Sequence, residues 1–128
     1  MAEGWLRALK GQEIDVYSAG ITSHGLNPLA VQVMKEAGID ISNQTSKCLS
    51  ELASITFDVV VTVCDNAHEN CHIFSGRTTV IHHSFDDPPR LTNGLSESEA
   101  LPVYRRVRDE IRQFIQDTHW IQSRFLKV

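Results

Sequence analysis

Apolar residues recur along the chain with two different periods that alternate from segment to segment. Ala2, Trp5, Leu6 and Leu9 stand at i, i+3, i+4 and i+7, which predicts an amphipathic helix opening almost at the first residue. No Ser, Thr, Asp or Asn precedes it to satisfy its first N–H groups, so the pattern reads either as if more chain lay upstream or as a frayed terminal helix. Ile14, Val16 and Ser18 alternate with other residues and predict a short strand that ends at Ala19-Gly20. Asn27-Pro28 supplies an N-cap and a first helical residue to a helix with Ala30, Val33, Met34 and Ala37 on one face and Gly38 as its stop. Phe57 to Val63 is a nearly continuous β-branched run, too short for an ordinary helix and suited to a strand buried on both faces of a parallel sheet. Thr78 to His83 is a shorter strand. The stretch from Asp86 to Ser98 is rich in Pro, Asp, Asn, Gly and Ser and predicts a loop. Val107, Ile111, Phe114 and Ile115 form the stripe of a last helix, which starts between Ala100 and Pro102 and runs towards Trp120, with Arg105, Arg106 and Arg108 on its other faces. Strands and helices in this alternation predict one α/β domain over residues 1–128: three layers, with a mainly parallel sheet flanked by helices.

Composition supports a single small domain and narrows its partners. The 128 residues include 12 Lys and Arg against 16 Asp and Glu, a formal charge of -4, which is unsuited to gripping nucleic acid by its phosphates. No apolar run reaches the roughly 20 residues needed to cross a bilayer, and Met1-Ala2-Glu3-Gly4-Trp5 is unlike a signal peptide. The expected location is therefore cytoplasmic. Three cysteines, Cys48, Cys64 and Cys71, are an odd and sparse set, unlike a disulfide scaffold, which leaves each one to be reactive, metal-bound or simply buried.

In a parallel sheet, ligands collect beyond the carboxyl ends of the strands, and Cys64 follows the Phe57 to Val63 strand directly. Cys71, seven positions on, could reach it through a loop that refolds, so a reversible disulfide is one reading. A metal site drawing on Cys64, His68, Cys71 and His72, with His82 and His83 in reserve, is another, although its spacing fits no common zinc pattern. Two unremarkable thiols are the third. Asp86-Asp87-Pro88-Pro89 follows the next strand on the same side of the sheet; a carboxylic acid there could protonate a leaving oxygen, or simply form a turn. Cys71 and Arg77-Thr78 have the Cys-x5-Arg-Thr spacing of an anion-binding loop. Such a loop needs a strand before it and a helix after it, and here a polar segment precedes and a strand follows.

Taken together, Met-Ala-Glu-Gly-Trp at 1–5, Val-Tyr-Ser-Ala-Gly-Ile at 16–21, His-Gly-Leu-Asn-Pro at 24–28, Gly-Ile-Asp-Ile-Ser-Asn-Gln-Thr-Ser at 38–46, Val-Val-Thr-Val-Cys at 60–64, Phe-Asp-Asp-Pro at 85–88 and Arg-Val-Arg-Asp-Glu-Ile at 106–111 resemble the thioredoxin-coupled arsenate reductases of the low-molecular-weight tyrosine phosphatase fold. The resemblance runs in register from Met1 to about Ile115. It implies that Cys64 and Cys71 are the redox pair, oxidised while arsenate becomes arsenite and recycled by thioredoxin. It also implies that Asp87, immediately before Pro88, is the general acid, and that Cys48 is structural. Some members bind a potassium ion. Glu3 and Ser18 match two of its ligands, but the position of a third, an Asp in the family, is Lys47 here, whose ammonium would either replace the ion or abolish the site.

The same resemblance places the family's first strand and its nucleophilic Cys-x5-Arg-Ser loop before the segment at 1–5, which predicts a chain truncated at that end and doubtful in stand-alone activity. The absent strand would lie between the strand ending at Ser18 and the one at 57–63, exposing an edge on each. Three ways of filling the gap are expected: direct pairing of those two strands, a partner chain such as a second copy in a homodimer, or an upstream segment. The alternative to an enzyme is a non-catalytic remnant that binds a partner or dimerises.

Overall fold

A computed structural model describes residues 1–12, 14–20, 26–45, 47–52, 54–63, 78–117 and 124–127. The elements in chain order are α1 (Ala2–Lys10), β1 (Asp15–Ser18), α2 (Pro28–Glu36), a single 3₁₀ turn (Leu49–Leu52), β2 (Val59–Thr62), β3 (Thr79–His82), α3 (Pro88–Leu91), α4 (Glu97–Asp117) and β4 (Arg124–Lys127). All four strands run parallel in one sheet of order β1-β4-β2-β3.

Each helix follows its apolar stripe. Ala2, Trp5 and Leu6 of α1 are buried, whereas Leu9 at the end of the predicted stripe is 37% exposed. In α2, Asn27 caps as its sequence predicts: its side-chain oxygen accepts from the N–H groups of Leu29 and Ala30 at 2.9 and 3.2 Å, satisfying two orphan donors of the first turn. The Asn27 amide also donates to the buried Tyr104 hydroxyl at 3.0 Å, which ties that cap to α4. Gly38 ends the segment with φ +82°, a conformation an L side chain resists. Val33 and Met34 are fully buried against Tyr104, Val107, Ile111 and Ile115 of α4.

Two expectations for the carboxyl-terminal half are corrected. The stretch from Asp86 to Ser98 is not all loop: Pro88–Leu91 forms one helical turn, with proline at its first position, where a missing N–H costs nothing. The last helix begins at Glu97, earlier than its apolar stripe suggests, because Ser96 accepts from the Glu99 N–H and donates to the Glu99 carboxylate, closing its first turn. The end expected at Trp120 lies outside the described residues; the helix is described to Asp117.

The sheet brings the largest correction. β1 and β2 do not pair with each other, although direct pairing is one of the three expected ways of closing the gap. The chain's own Arg124–Lys127 lies there, pairing Val16 with Phe125 and Tyr17 with Leu126 on one side, and Val59 with Phe125 and Val60 with Leu126 on the other. The crossover through α4 returns the chain to a strand parallel with its neighbours, which satisfies the hydrogen-bonding edges of both. Four residues without a strong alternating pattern carry little strand signal of their own, so this element is invisible to periodicity. All of β2 is buried, as its continuous apolar run predicts: Val59 and Val61 join the cluster under the helices, while Val60 and Thr62 alternate to the other face.

Gly4 is where α1 meets the turn after α2. A Cβ there would stand 2.6 Å from Cγ2 of Ile41 and 3.2 Å from Cε of Met34. Gly4→Ala should therefore destabilise the fold by about 1–3 kcal/mol through overpacking, outweighing the roughly 1 kcal/mol that alanine gains in helix propensity; urea unfolding of the two proteins measures the sign. On the surface, Arg105 holds the Glu36 carboxylate with two hydrogen bonds, at 2.8 and 3.0 Å, and this holds its pKa below the ordinary 4.5. A carboxylate with a depressed folded-state pKa adds stability above 4.5 that disappears as pH falls through the folded value. Glu36→Gln should accordingly flatten the acid limb of the stability curve below pH 4.5 and leave its shape at pH 7 and above unchanged, as followed by thermal melts across pH.

Candidate functional site

The carboxyl ends of β2 and β3 are joined beyond the strands themselves. The His83 N–H donates to the Thr62 carbonyl at 2.9 Å and the Phe85 N–H to the Val63 carbonyl at 3.1 Å. The Thr62 hydroxyl, fully buried, lies 2.7 Å from Nδ1 of His82. Val63 immediately precedes Cys64, and Phe85 stands two residues before Asp87. The backbone ladder thus draws the start of the cysteine segment and the start of the acidic segment to one end of the sheet, where a parallel sheet gathers ligands. Cys64 and Cys71 themselves lie outside the described residues, as do His68, His72 and Arg77.

Three contacts hold the acidic segment against α4. His83 stacks on Phe114, ring centroids 4.2 Å apart and planes at 23°, and Phe85 packs edge-on to the same ring at 5.7 Å. Arg106 then donates to the Asp86 carboxylate at 2.9 Å and to Glu110 at 2.8 Å. The neighbouring acids are thereby given different duties. Asp86 is committed to an ion pair. Asp87 stands at the N-cap of α3, is exposed and makes no side-chain capping bond. Sequence reasoning identified Asp87 but not the Arg106 anchor or the Thr62–His82 contact, both of which join residues some 20 positions apart.

The cation position implied by the resemblance is built differently. Glu3 is 4% exposed, yet both carboxylate oxygens are occupied. Oε1 accepts from Arg7 at 3.1 Å, and Oε2 accepts from the Gln44 amide at 2.9 Å when that amide is oriented to satisfy both of its atoms. The same Arg7 Nη2 donates to the Val16 carbonyl in β1 at 2.9 Å. Burying a carboxylate is costly unless it is paired and hydrogen-bonded, and here a guanidinium one helical turn on supplies the charge. Among the described residues no hydrogen bond joins Glu3 to Ser18, which ends β1, and Lys47 contributes its carbonyl to the Gly20 N–H at 2.8 Å. This donor set does not fit a potassium ion: one required carboxylate is a lysine, and the other already has its cation. Arg7 could have been found from the sequence, as the i+4 partner of Glu3.

Cys48 is a half-buried free thiol whose backbone N–H donates to the Glu51 carboxylate at 2.6 Å; it bridges to Gly20, two residues past the carboxyl end of β1, and so lies at the same end of the sheet as Thr62 but beside β1, the strand farthest from β3. Among the described residues no three His, Cys, Asp or Glu side chains gather as a metal site, and no helix is long and apolar enough to cross a membrane.

Comparison with known proteins identifies the family and the fold. The family described as "Low molecular weight phosphotyrosine protein phosphatase" matches residues 1–119. The arsenate reductase of Halalkalibacterium halodurans is 46% identical over 116 residues, covering 91% of this chain and 82% of that protein. The arsenate reductase of Bacillus subtilis is 48% identical over 111 residues, with 87% and 78% covered. Among solved structures, an arsenate reductase in the phosphate-binding state superposes with a TM-score of 0.73 at 30% identity, covering 91% of this chain and 82% of that one. A match of this extent in sequence and fold means that the chain belongs to the low molecular weight phosphotyrosine protein phosphatase family, among its arsenate reductases.

Proposed function

We propose that this chain carries the redox half of a thioredoxin-coupled arsenate reductase, working in a reducing cytoplasm. The observation that carries the reading is the Phe85–Val63 hydrogen bond, which sets Cys64 and Asp87 to begin from the same end of the sheet. In the proposed cycle a nucleophilic thiolate, supplied from outside these 128 residues, displaces an oxygen of arsenate and forms an S–As bond. Asp87 gives its proton to the departing oxygen. The Cys64 thiolate then attacks that sulfur; the S–As bond breaks and its electron pair leaves with arsenic, so As(V) departs as arsenite while the two sulfurs become a disulfide. Cys71 attacks Cys64, freeing the first thiol and forming Cys64–Cys71. A thioredoxin dithiol reduces that bond and is itself oxidised. Arg106 keeps Asp86 out of this chemistry. The competing reading, a non-catalytic remnant that dimerises or binds a partner such as thioredoxin through Cys64 and Cys71, leaves Asp87 without a proton to give.

Mild oxidation of the purified chain should form one intramolecular disulfide, mapped to Cys64–Cys71, which thioredoxin with its reductase and NADPH removes. Cys64→Ser and Cys71→Ser should each abolish that NADPH consumption, and Cys48→Ser should leave it intact. Pairing of Cys48 instead, or a disulfide that thioredoxin ignores, overturns the assignment. Arsenate itself should elicit no turnover from the 128 residues alone, and steady arsenate-dependent NADPH oxidation would overturn the placement of the nucleophile elsewhere.

No potassium ion takes part in this reading, because the Arg7 guanidinium is the counter-charge of Glu3. Melting temperature should therefore not change when NaCl replaces KCl at equal ionic strength, whereas Arg7→Met should cost about 1–3 kcal/mol by leaving the buried carboxylate short of a donor. A rise in stability specific to potassium contradicts this.

A further inference from the structure

The described arginine side chains are committed to partners, with one exception. Arg7 is held by Glu3 and the Val16 carbonyl, Arg105 by Glu36, and Arg108 by Asp109 and the Val33 carbonyl. Arg106 is divided between Asp86 and Glu110, and Arg112 lies over the Trp5 ring at 5.3 Å. Among the arginines whose side chains are described, Arg90 alone makes no hydrogen bond, ion pair or ring contact, and it is exposed. It stands in α3, three positions after Asp87, whose exposed carboxylate likewise makes no side-chain bond. An N-cap residue and the residue three positions on are the pair whose side chains meet at the start of a helical turn. This turn is firmly built: the Leu91 N–H donates to the Asp87 carbonyl at 3.1 Å, the Thr92 N–H to the Pro88 carbonyl at 2.9 Å, and the Thr92 hydroxyl to the same carbonyl at 2.7 Å. A free guanidinium and a free carboxyl group thus flank one side of a fixed turn, at the end of the sheet where the segment after β3 is bonded to the residue before Cys64.

We propose that Arg90 binds the tetrahedral oxyanion on which Asp87 acts, arsenate or its analogue phosphate, an inference that rests on the reading of Asp87 as the proton donor. The charges nearby favour such a residue. Asp86 and Glu110 share the single guanidinium of Arg106, so that cluster keeps a net negative charge and repels an anion. α3 is four residues long, too short to hold an anion by its backbone dipole, so a side chain has to carry the positive charge. A planar guanidinium with its N–H groups unused offers two parallel hydrogen bonds to a pair of oxyanion oxygens, the strong form of this contact. Asp87 then gives its proton to the departing oxygen, while Arg90 offsets the charge on the oxygens that stay with arsenic.

The test is an NMR titration of the whole ¹⁵N-labelled chain with sodium arsenate and, separately, sodium phosphate, read at the Arg90 Nε–H and the Asp87 N–H against sodium chloride at equal ionic strength. Both oxyanions should shift the two signals together and to saturation. Arg90→Gln should weaken binding at least about tenfold, and Arg90→Lys, which keeps the charge but not the fork, should weaken it less. Asp87→Asn, an uncharged stand-in for the protonated acid, should tighten it about threefold by removing a like charge. Arg90 is exposed and unbonded, so its variants should unfold at the same urea concentration as the unaltered chain. Shifts reproduced by chloride, shifts that survive Arg90→Gln, or phosphate binding without arsenate binding overturn the proposal. The thiols take no part in this readout: losing the Cys64–Cys71 assignment leaves the titration standing, and losing the titration leaves that assignment standing.

Discussion

The hydrogen-bonding demand of two strand edges governs this molecule. β1 and β2 each present a row of backbone donors and acceptors towards the middle of the sheet, and buried groups of that kind must be paired. β2 is buried along its whole length, so its inner edge has no access to water as a substitute partner. Whatever lies between the two strands is therefore as much a part of the core as the valines themselves. The helices depend on it in turn, because α1, α2 and α4 bury their stripes against a surface to which Val16, Val59 and Val61 contribute, and that surface is continuous only when the sheet is complete.

The same sheet positions the chemistry. Parallel strands end together, and the ladder between β2 and the residues after β3 continues past both strands to Val63 and Phe85. The aromatic contact of His83 and Phe85 with Phe114, and the ion pair of Arg106 with Asp86, then fasten the acidic turn to the longest helix. Asp87 is thus placed by backbone hydrogen bonds and packing, with its own carboxylate spared. At the other end of β1, the Arg7 side chain joins the buried Glu3 to the Val16 carbonyl, linking α1 to the sheet through charge rather than apolar contact.

What could be read from the sequence follows the strength of local patterns. The stripes of α1 and α2, the Asn27-Pro28 start and the Gly38 stop are dictated within a few residues of themselves, and the structure repeats them. The start of α4 was legible too, in Ser96 and Glu99 three positions apart, but apolar periodicity alone places it later. β4 was not legible: its four residues make sense as a strand only once two waiting edges exist, and that condition is tertiary. The site divides in the same way. Asp87 stands out through its position after a strand and before Pro88, whereas the roles of Arg106 and His82 arise from contacts between distant segments.

The position of β4 has a bearing on how the protein is made. Its central strand follows every other described element in the sequence, so a ribosome releases α1, β1, α2, β2 and β3 before the piece that unites them. Domains whose cores form from early segments can settle during synthesis. Among the described elements, the pairing of Val16 with Phe125 spans most of the numbered chain and carries the loop-closure cost of that span. Until β4 is made, β1 and β2 lack the neighbour that joins them in the folded sheet, and a strand edge without its neighbour is open to the wrong strand.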